Sequence, residues 1–333
     1  MQTIIDTSRL RQNIRRIRGA TRNEFCAVVK ANAYGHGLYA AYHIQSLADC
    51  FLVATAEEAY ALCAITDKPI LMLGGQIDGV LKSYQPQIIP TVCNVKQLIA
   101  VKNSGYKRFS VAVNTGMNRL GADENALNGI ASICKQYDMR PWSVYSHIYG
   151  GISSAAEQSE LFDRLTSDEL FRVKRHLYSS VALDLKPRGF DIYDMTRCGI
   201  AMYGYGSGTD ICMKVRAKIV ALNRVSRGEH VGYGDYTLDH DAMIATVDCG
   251  YADGLRRSDR QLYLKVRGVK CNVVGKPCMD LTMIDVTGAP CRVGEYAYLI
   301  SDKSDTEYLA ACYNTIVYEV LTGFNGRAER IYV

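Results

Sequence analysis

The first two thirds of the chain alternate short apolar runs with segments of helical period. The runs are Cys26–Lys30, Phe51–Thr55, Ile70–Leu73, Ile88–Thr91, Phe109–Val113, Trp142–His147, Leu177–Ser180 and Ile192–Arg197. They are short and rich in Val, Ile, Leu and aromatics, as buried strands are. Between them, Ala56–Thr66, Val95–Ser104 and Glu124–Tyr137 read as helices. Eight β-α alternations predict an α/β architecture, a (β/α)8 TIM-type barrel. At roughly 210 residues it would be compact against the ~250 usual for that fold. Ahead of the first run, Leu10, Ile14 and Ile17 recur at helical spacing behind Asp6 and Ser8, which predicts an opening helix.

The pattern changes at Gly204-Tyr205-Gly206-Ser207-Gly208, a flexible junction. Beyond it lie Val215–Leu222, His230–Tyr233, Ala242–Asp248, Leu262–Arg267, Cys271–Val274, Leu281–Val286 and Tyr296–Ile300, separated by Gly and Asp turns. Their alternation predicts a mostly antiparallel β domain, with one helix over Glu307–Glu319. The expected division is a barrel over residues 1–211 and a C-terminal β domain over 212–333.

Composition narrows the function classes. A chain of 333 residues that is 48% apolar is long enough for two cores. No apolar run approaches the roughly 20 residues needed to cross a membrane. The net charge of +5 is mild and the basic residues form no long block, so neither a nucleic-acid nor a membrane partner is indicated. Twelve cysteines are scattered without a C-x-x-C pair, as at Cys26, Cys93 and Cys134. They read as buried free thiols of a reducing cytosol, so a cytoplasmic location and no metal site are expected. Arg9, Arg11, Arg15, Arg16 and Arg18 also fit a transit peptide, but the periodic apolar face favours a structural helix.

Polar residues stand where barrel chemistry is found, at the carboxyl ends of strands. Lys30 ends the first run, His147 the sixth, Ser180 the seventh and Arg197 the eighth, and Arg119 follows the fifth. Lys30 has two readings: an ordinary surface lysine past a strand, or an amine in a low-dielectric mouth whose lowered pKa permits imine formation.

Seven motifs decide between them. Ala27–Gly37 (AVVKANAYGHG) resembles the cofactor-lysine motif of the alanine racemases, enzymes built from a barrel and a β domain around pyridoxal 5'-phosphate (PLP). NTGMNRLG (114–121), RCGIAMYG (197–204), VGYGDYT (231–237), GYADG (250–254), CMD (278–280) and TIVYE (315–319) follow in the family's order, so the resemblance spans nearly the whole chain.

The resemblance implies an isomerase that interconverts L- and D-alanine, a source of D-alanine as a peptidoglycan precursor. PLP acidifies the α-hydrogen of an amino acid, and racemisation needs a base on each face. Lys30 would carry the cofactor and serve one face. Tyr251, from the partner subunit of a homodimer with shared active sites, would serve the other. A tyrosine is a poor base at its reference pKa of about 10. The resemblance supplies His147 and Arg197 to lower it, with His176 supporting Arg197 and Asp280 a further supporting residue. An Arg facing the pyridine nitrogen cannot give up its proton, which favours return of the α-proton over transamination. A salt bridge from Arg197 to Asp194 is the ordinary alternative. Tyr34, Ser180, Tyr318 and the backbone of Gly199 and Ile200 match the phosphate ligands. Arg119 and the backbone of Met279 would meet the substrate carboxylate, and Met279 would also wall the pocket.

The chain departs from the family at Ala112, where many members carry a carbamylated lysine paired with the arginine at Arg119. A buried, unpartnered Arg119 is costly, so a bound anion is the expected replacement, with Asn114 or Asn118 the alternatives. Ser179 and Gly150-Gly151 depart as well. A serine or broad-spectrum amino-acid racemase of the same fold is the alternative reading. A decarboxylase lacks its glycine-triplet loop here, and a non-catalytic PLP carrier would not need Tyr251.

Overall fold

A computed structural model describes every residue except 22, 76–82, 181–192 and 325. The chain divides into two compact units. One comprises Arg11–Ala33 and Ala41–Thr209; the other comprises Met1–Leu10, Tyr34–Ala40 and Asp210–Val333. A single cut between 211 and 212 therefore misses two exchanges. Strand β1 (Gln2–Ile5) and the segment from Tyr34 to Ala40 go with the C-terminal residues.

The first unit is the barrel. Its parallel strands are β2 (Glu24–Val28), β3 (Cys50–Val53), β4 (Ile70–Met72), β5 (Ile88–Val92), β6 (Ser110–Ala112), β7 (Ser143–Tyr145), β8 (Lys174–His176) and β9 (Met195–Cys198). They run in the order β8-β7-β6-β5-β4-β3-β2-β9. Asp194 N donates to Arg175 O at 2.9 Å and Arg197 N to Tyr178 O at 3.2 Å, which brings the two ends of the sheet together. Strands covered on both faces read as continuous apolar runs, which is why most were visible in the sequence.

Two runs are shifted. The seventh strand ends at His176, so Leu177–Ser180 lies past it. Lys174 and Arg175 mask this strand because long charged side chains can lay their stems on apolar surface. Lys174 Nζ reaches Glu24 at 2.6 Å, and the Arg175 guanidinium sits 5.0 Å from the Phe162 ring centroid. The eighth strand starts at Met195; Ile192 lies outside the described residues.

Helix starts follow local capping chemistry. Thr55 and Glu58 form a capping box for Ala56–Cys63, Asn94 caps Val95–Asn103, and Asp123 caps Glu124–Gln136. The opening helix, Thr7–Ala20, has Arg9 N bonded to the Asp6 carboxylate at 2.9 Å and buries Leu10, Ile14 and Ile17.

The second unit is a mostly antiparallel sheet. Its strands are β1, β10 (Met213–Val225), β11 (Ala242–Val247), β12 (Tyr263–Val266), β13 (Val269–Asn272), β14 (Thr282–Asp285), β15 (Tyr296–Ile300) and β16 (Glu329–Tyr332). The main path is β13-β12-β15-β10-β1-β16, with β11 on β10 and β14 on β11. Only the β1–β16 pair is parallel among the described strands of this sheet. The segment His230–Tyr233 forms an isolated bridge, His230 to Thr237, instead of a strand. The helix expected over Glu307–Glu319 is two helices, Lys303–Cys312 and Val317–Gly323. They part at Asn314, whose φ of 51° is tolerated best by Asn, Asp or Gly.

Candidate active site

Lys30 follows three buried residues, Ala27, Val28 and Val29, and is itself half-buried. Immediately after it, Ala31, Asn32, Ala33 and Tyr34 all have φ of 53–54°. A left-handed turn of non-glycine residues costs roughly 1–2 kcal/mol per residue, so other contacts must hold it. The Glu58 carboxylate supplies one: Oε1 accepts Ala31 N at 2.6 Å, while Oε2 accepts Ala54 N at 2.7 Å and Thr55 N at 3.3 Å. Burial pushes the Lys30 amine below the usual lysine range. Arg119 and Arg197 push it further down and Glu58 opposes them.

Arg197 lies on β9 and is 3% exposed. Its guanidinium donates to His176 O (2.9 Å), Ser146 O (2.6 Å), Leu177 O (3.0 Å) and His176 Nδ1 (2.8 Å). An arginine can only donate, so Nδ1 of His176 accepts and its Nε2 carries the hydrogen. That hydrogen points to Ser143 Oγ at 3.0 Å, which lies 2.7 Å from Ser110 Oγ. A polar chain thus crosses four neighbouring strands, β9, β8, β7 and β6. Tyr145 stacks on the His176 ring at 4.9 Å, and its hydroxyl lies 3.1 Å from Thr91 Oγ1. The alternative pairing with Asp194 does not form; its carboxylate accepts Arg175 N at 2.7 Å.

His147 Nδ1 stands 3.4 Å from Arg197 Nη2. Burial and the cations Arg197, Arg119 and Lys30 push its pKa down to about 3, and burial with Arg197 holds His176 well below the usual range. Both imidazoles are therefore neutral at physiological pH. Burial lowers Arg197 to about 10, still high enough to keep its proton at pH 7.

Ser180 Oγ accepts Gly199 N at 2.9 Å and Ala201 N at 3.4 Å. Two main-chain donors thus converge on one hydroxyl just past β9, with Ile200 between them. Main-chain N–H groups gathered around one point, here a hydroxyl, are donors of the kind an anion site uses.

Arg119 is exposed in the single chain, and among the described residues no ion pair involves it. The two asparagines are engaged with the loop: Asn114 Oδ1 accepts Gly116 N and Asn118 N, both at 3.1 Å, and Asn118 Oδ1 accepts Asn114 Nδ2 at 2.8 Å. Ala112 is buried at the end of β6.

In the second unit, Tyr251 opens a short 3-10 turn, Tyr251–Asp253, and is 42% exposed. Tyr251 N donates to Cys278 O at 2.9 Å and Ala252 N to Met279 O at 3.0 Å, which joins GYADG to CMD. A Cβ on Gly250 would lie 2.3 Å from Met279 O. Asp253 accepts Gly250 N at 3.0 Å, and Arg327 bridges Asp253 (3.2 Å) and Asp280 (2.8 Å). The Met279 side chain is exposed. Tyr34 and Tyr318, 284 positions apart in the sequence, have ring centroids 6.0 Å apart.

Comparison with known proteins completes this picture. Residues 5–207 match the family model described as alanine racemase, N-terminal domain, and residues 212–332 the one described as alanine racemase, C-terminal domain. The chain belongs to the alanine racemase family. It is 31% identical to the alanine racemase of Thermodesulfovibrio yellowstonii, over 100% of this chain and 98% of that one. The Sorangium cellulosum alanine racemase is also 31% identical, over 98% and 97%. Among solved structures, the Clostridium difficile alanine racemase superposes with a TM-score of 0.91 at 26% identity, covering 100% of this chain and 95% of that one. The Bartonella henselae alanine racemase, a structure with covalently bound pyridoxal phosphate, gives 0.88 at 28% identity, covering 100% and 99%.

Family motifs drew attention to Lys30, Arg197 and Tyr251, and position at the end of an apolar run to His147, but neither signal reached the residues that hold them. Ser110, Ser143, Tyr145 and Arg327 carry no motif signal of their own. Glu58 alone had a local one, the T-x-x-E pattern of a capping box.

Proposed function

We propose that this chain is a PLP-dependent alanine racemase that interconverts L- and D-alanine by a two-base mechanism. The observation that carries the reading is Lys30, an amine at the end of a barrel strand whose pKa is lowered by burial and two cations. The donor set fits the cofactor. Ser180 with the N–H groups of Gly199 and Ala201 suits a phosphate, and Arg197 is a buried donor locked by three carbonyls. Ile200, Tyr34 and Tyr318 are proposed as further phosphate ligands, on family resemblance.

Bound covalently to Lys30, the cofactor supplies the electron sink that acidifies the substrate α-hydrogen. Lys30 takes or returns a proton on one face, and Tyr251 of a second copy does so on the other. Arg197 retains its proton at pH 7 and would yield none to a cofactor ring nitrogen held against it, which would favour racemisation over transamination. His147 and His176, both neutral, orient Arg197. Arg119 and the Met279 backbone receive the substrate carboxylate, and Asp280, tied to Arg327, supports the Met279 turn. The proposed assembly is a cytoplasmic homodimer, its barrel spanning 1–211 and its β domain 212–333 apart from the strand exchange described above.

The test is loss of optical activity from L-alanine by the PLP-loaded protein, with borohydride trapping of the cofactor on Lys30. Carbon dioxide release without racemisation, or trapping on another lysine, refutes the reading. Mixing Lys30→Ala with Tyr251→Phe subunits restores one working site per heterodimer. Inactive heterodimers refute the shared site.

A further inference from the structure

We propose that Glu58 is a positioning residue for Lys30: its carboxylate holds the left-handed turn that begins at Ala31 and thereby sets where the lysine amine stands. The inference rests on the reading of Lys30 as the cofactor lysine.

A capping-box glutamate ordinarily reaches back only to the N–H of its own cap residue. Here that bond, to Thr55 N, is the longest of three at 3.3 Å. The shorter ones leave the helix, to Ala54 N at 2.7 Å and to Ala31 N, on the neighbouring strand's connection, at 2.6 Å. The carboxylate therefore links the end of β3 to the residue directly after Lys30. Four successive non-glycine residues follow in the left-handed region, a conformation the chain does not adopt unassisted. A charge-assisted bond to the first of them fixes the backbone at the point where Lys30 leaves it.

Charge gives the same residue a second effect. The groups acting on the Lys30 amine are Arg119, Arg197 and Glu58, and the amine in turn acts on His147. Among the described residues Glu58 is the one that favours the ammonium form, while the two arginines disfavour it. Removing its charge leaves the amine among cations, so Lys30 deprotonates at lower pH.

The test compares Glu58→Gln and Glu58→Asp with Thr55→Ala, which breaks the same helix cap without touching Ala31. Two readouts are followed with pyridoxal phosphate as probe: the pH midpoint for its covalent attachment, read by visible absorbance and borohydride trapping, and its retention on dialysis. Glu58→Gln is expected to move the midpoint to lower pH and to weaken retention about tenfold, the effect of losing one charge-assisted bond. Glu58→Asp keeps the charge but not the reach, so its midpoint stays while retention weakens. Thr55→Ala lowers the melting temperature and leaves both readouts unchanged. Trapping on Lys30 with no change of midpoint or retention in Glu58→Gln, or with no loss of retention in Glu58→Asp should the glutamine variant not fold, overturns the Glu58 assignment alone. Trapping on another lysine in the unaltered protein overturns the cofactor reading and this inference together.

Discussion

Replacing Arg197 with Lys isolates the geometry of the buried guanidinium from its charge. Four acceptors depend on it: three carbonyls and Nδ1 of His176, all within 2.6–3.0 Å. A lysine ammonium keeps the positive charge but offers three donors from one point, without the planar fork that reaches carbonyls on both sides. At least one acceptor loses its donor outright, and the splayed positions of Ser146 O and His176 O imply a second. Each buried acceptor left bare costs about 1–3 kcal/mol, so Arg197→Lys should destabilise the barrel by roughly 2–6 kcal/mol. For a unit of this size about 2–4 °C is lost per kcal/mol, which gives a fall of roughly 4–24 °C. Trp142, the single tryptophan of the chain, lies in the barrel unit and reports its melting by fluorescence. A melting temperature within about 2 °C of the unaltered protein refutes the idea that this network holds the barrel mouth.

Two other outcomes follow from the same geometry. Depressed His147 and His176 stay neutral when folded, whereas the unfolded chain protonates them near pH 6.5. Their contribution is complete above pH 6.5 and is lost as the pH falls toward about 3, where His147 protonates in the folded chain. Barrel melting, followed through Trp142, should therefore weaken steadily from pH 6.5 downward. His147→Gln should flatten that slope, and an unchanged slope contradicts the assignment. Gly250→Ala would place a Cβ 2.3 Å from Met279 O and 2.4 Å from Cys278 O, both backbone atoms that cannot step aside cheaply. Racemisation should fall more than tenfold while borohydride still traps the cofactor on Lys30. Retained activity means that the turn carrying Tyr251 is not tied to Met279 as described.

Much of this protein was decided by sequence alone. Parallel strands covered on both faces tend to be apolar along their length, so all the barrel strands but the seventh declared themselves as short apolar runs. Family motifs then pointed to Lys30, Arg197 and Tyr251. What sequence could not express is convergence. Ser110, Ser143, His176 and Arg197 lie on four different strands, and only parallel registration sets their side chains in one hydrogen-bonded row. Lys174 and Arg175 disguised a strand because their charges are met by Glu24 and Asp163 on other elements, with the Arg175 guanidinium also against the Phe162 and Tyr193 rings. β1 lies outside the alternating pattern of apolar runs; its place is set by β10 and β16, more than 200 residues away. The left-handed turn after Lys30 runs against the preference of Ala31, Ala33 and Tyr34. No local rule predicts Ala31-Asn32-Ala33-Tyr34 at positive φ, because the stabilising carboxylate arrives from Glu58 on the next β-α connection. Local pattern chose the elements; long-range hydrogen bonds to buried polar groups chose the exceptions, and the candidate site is built from those exceptions.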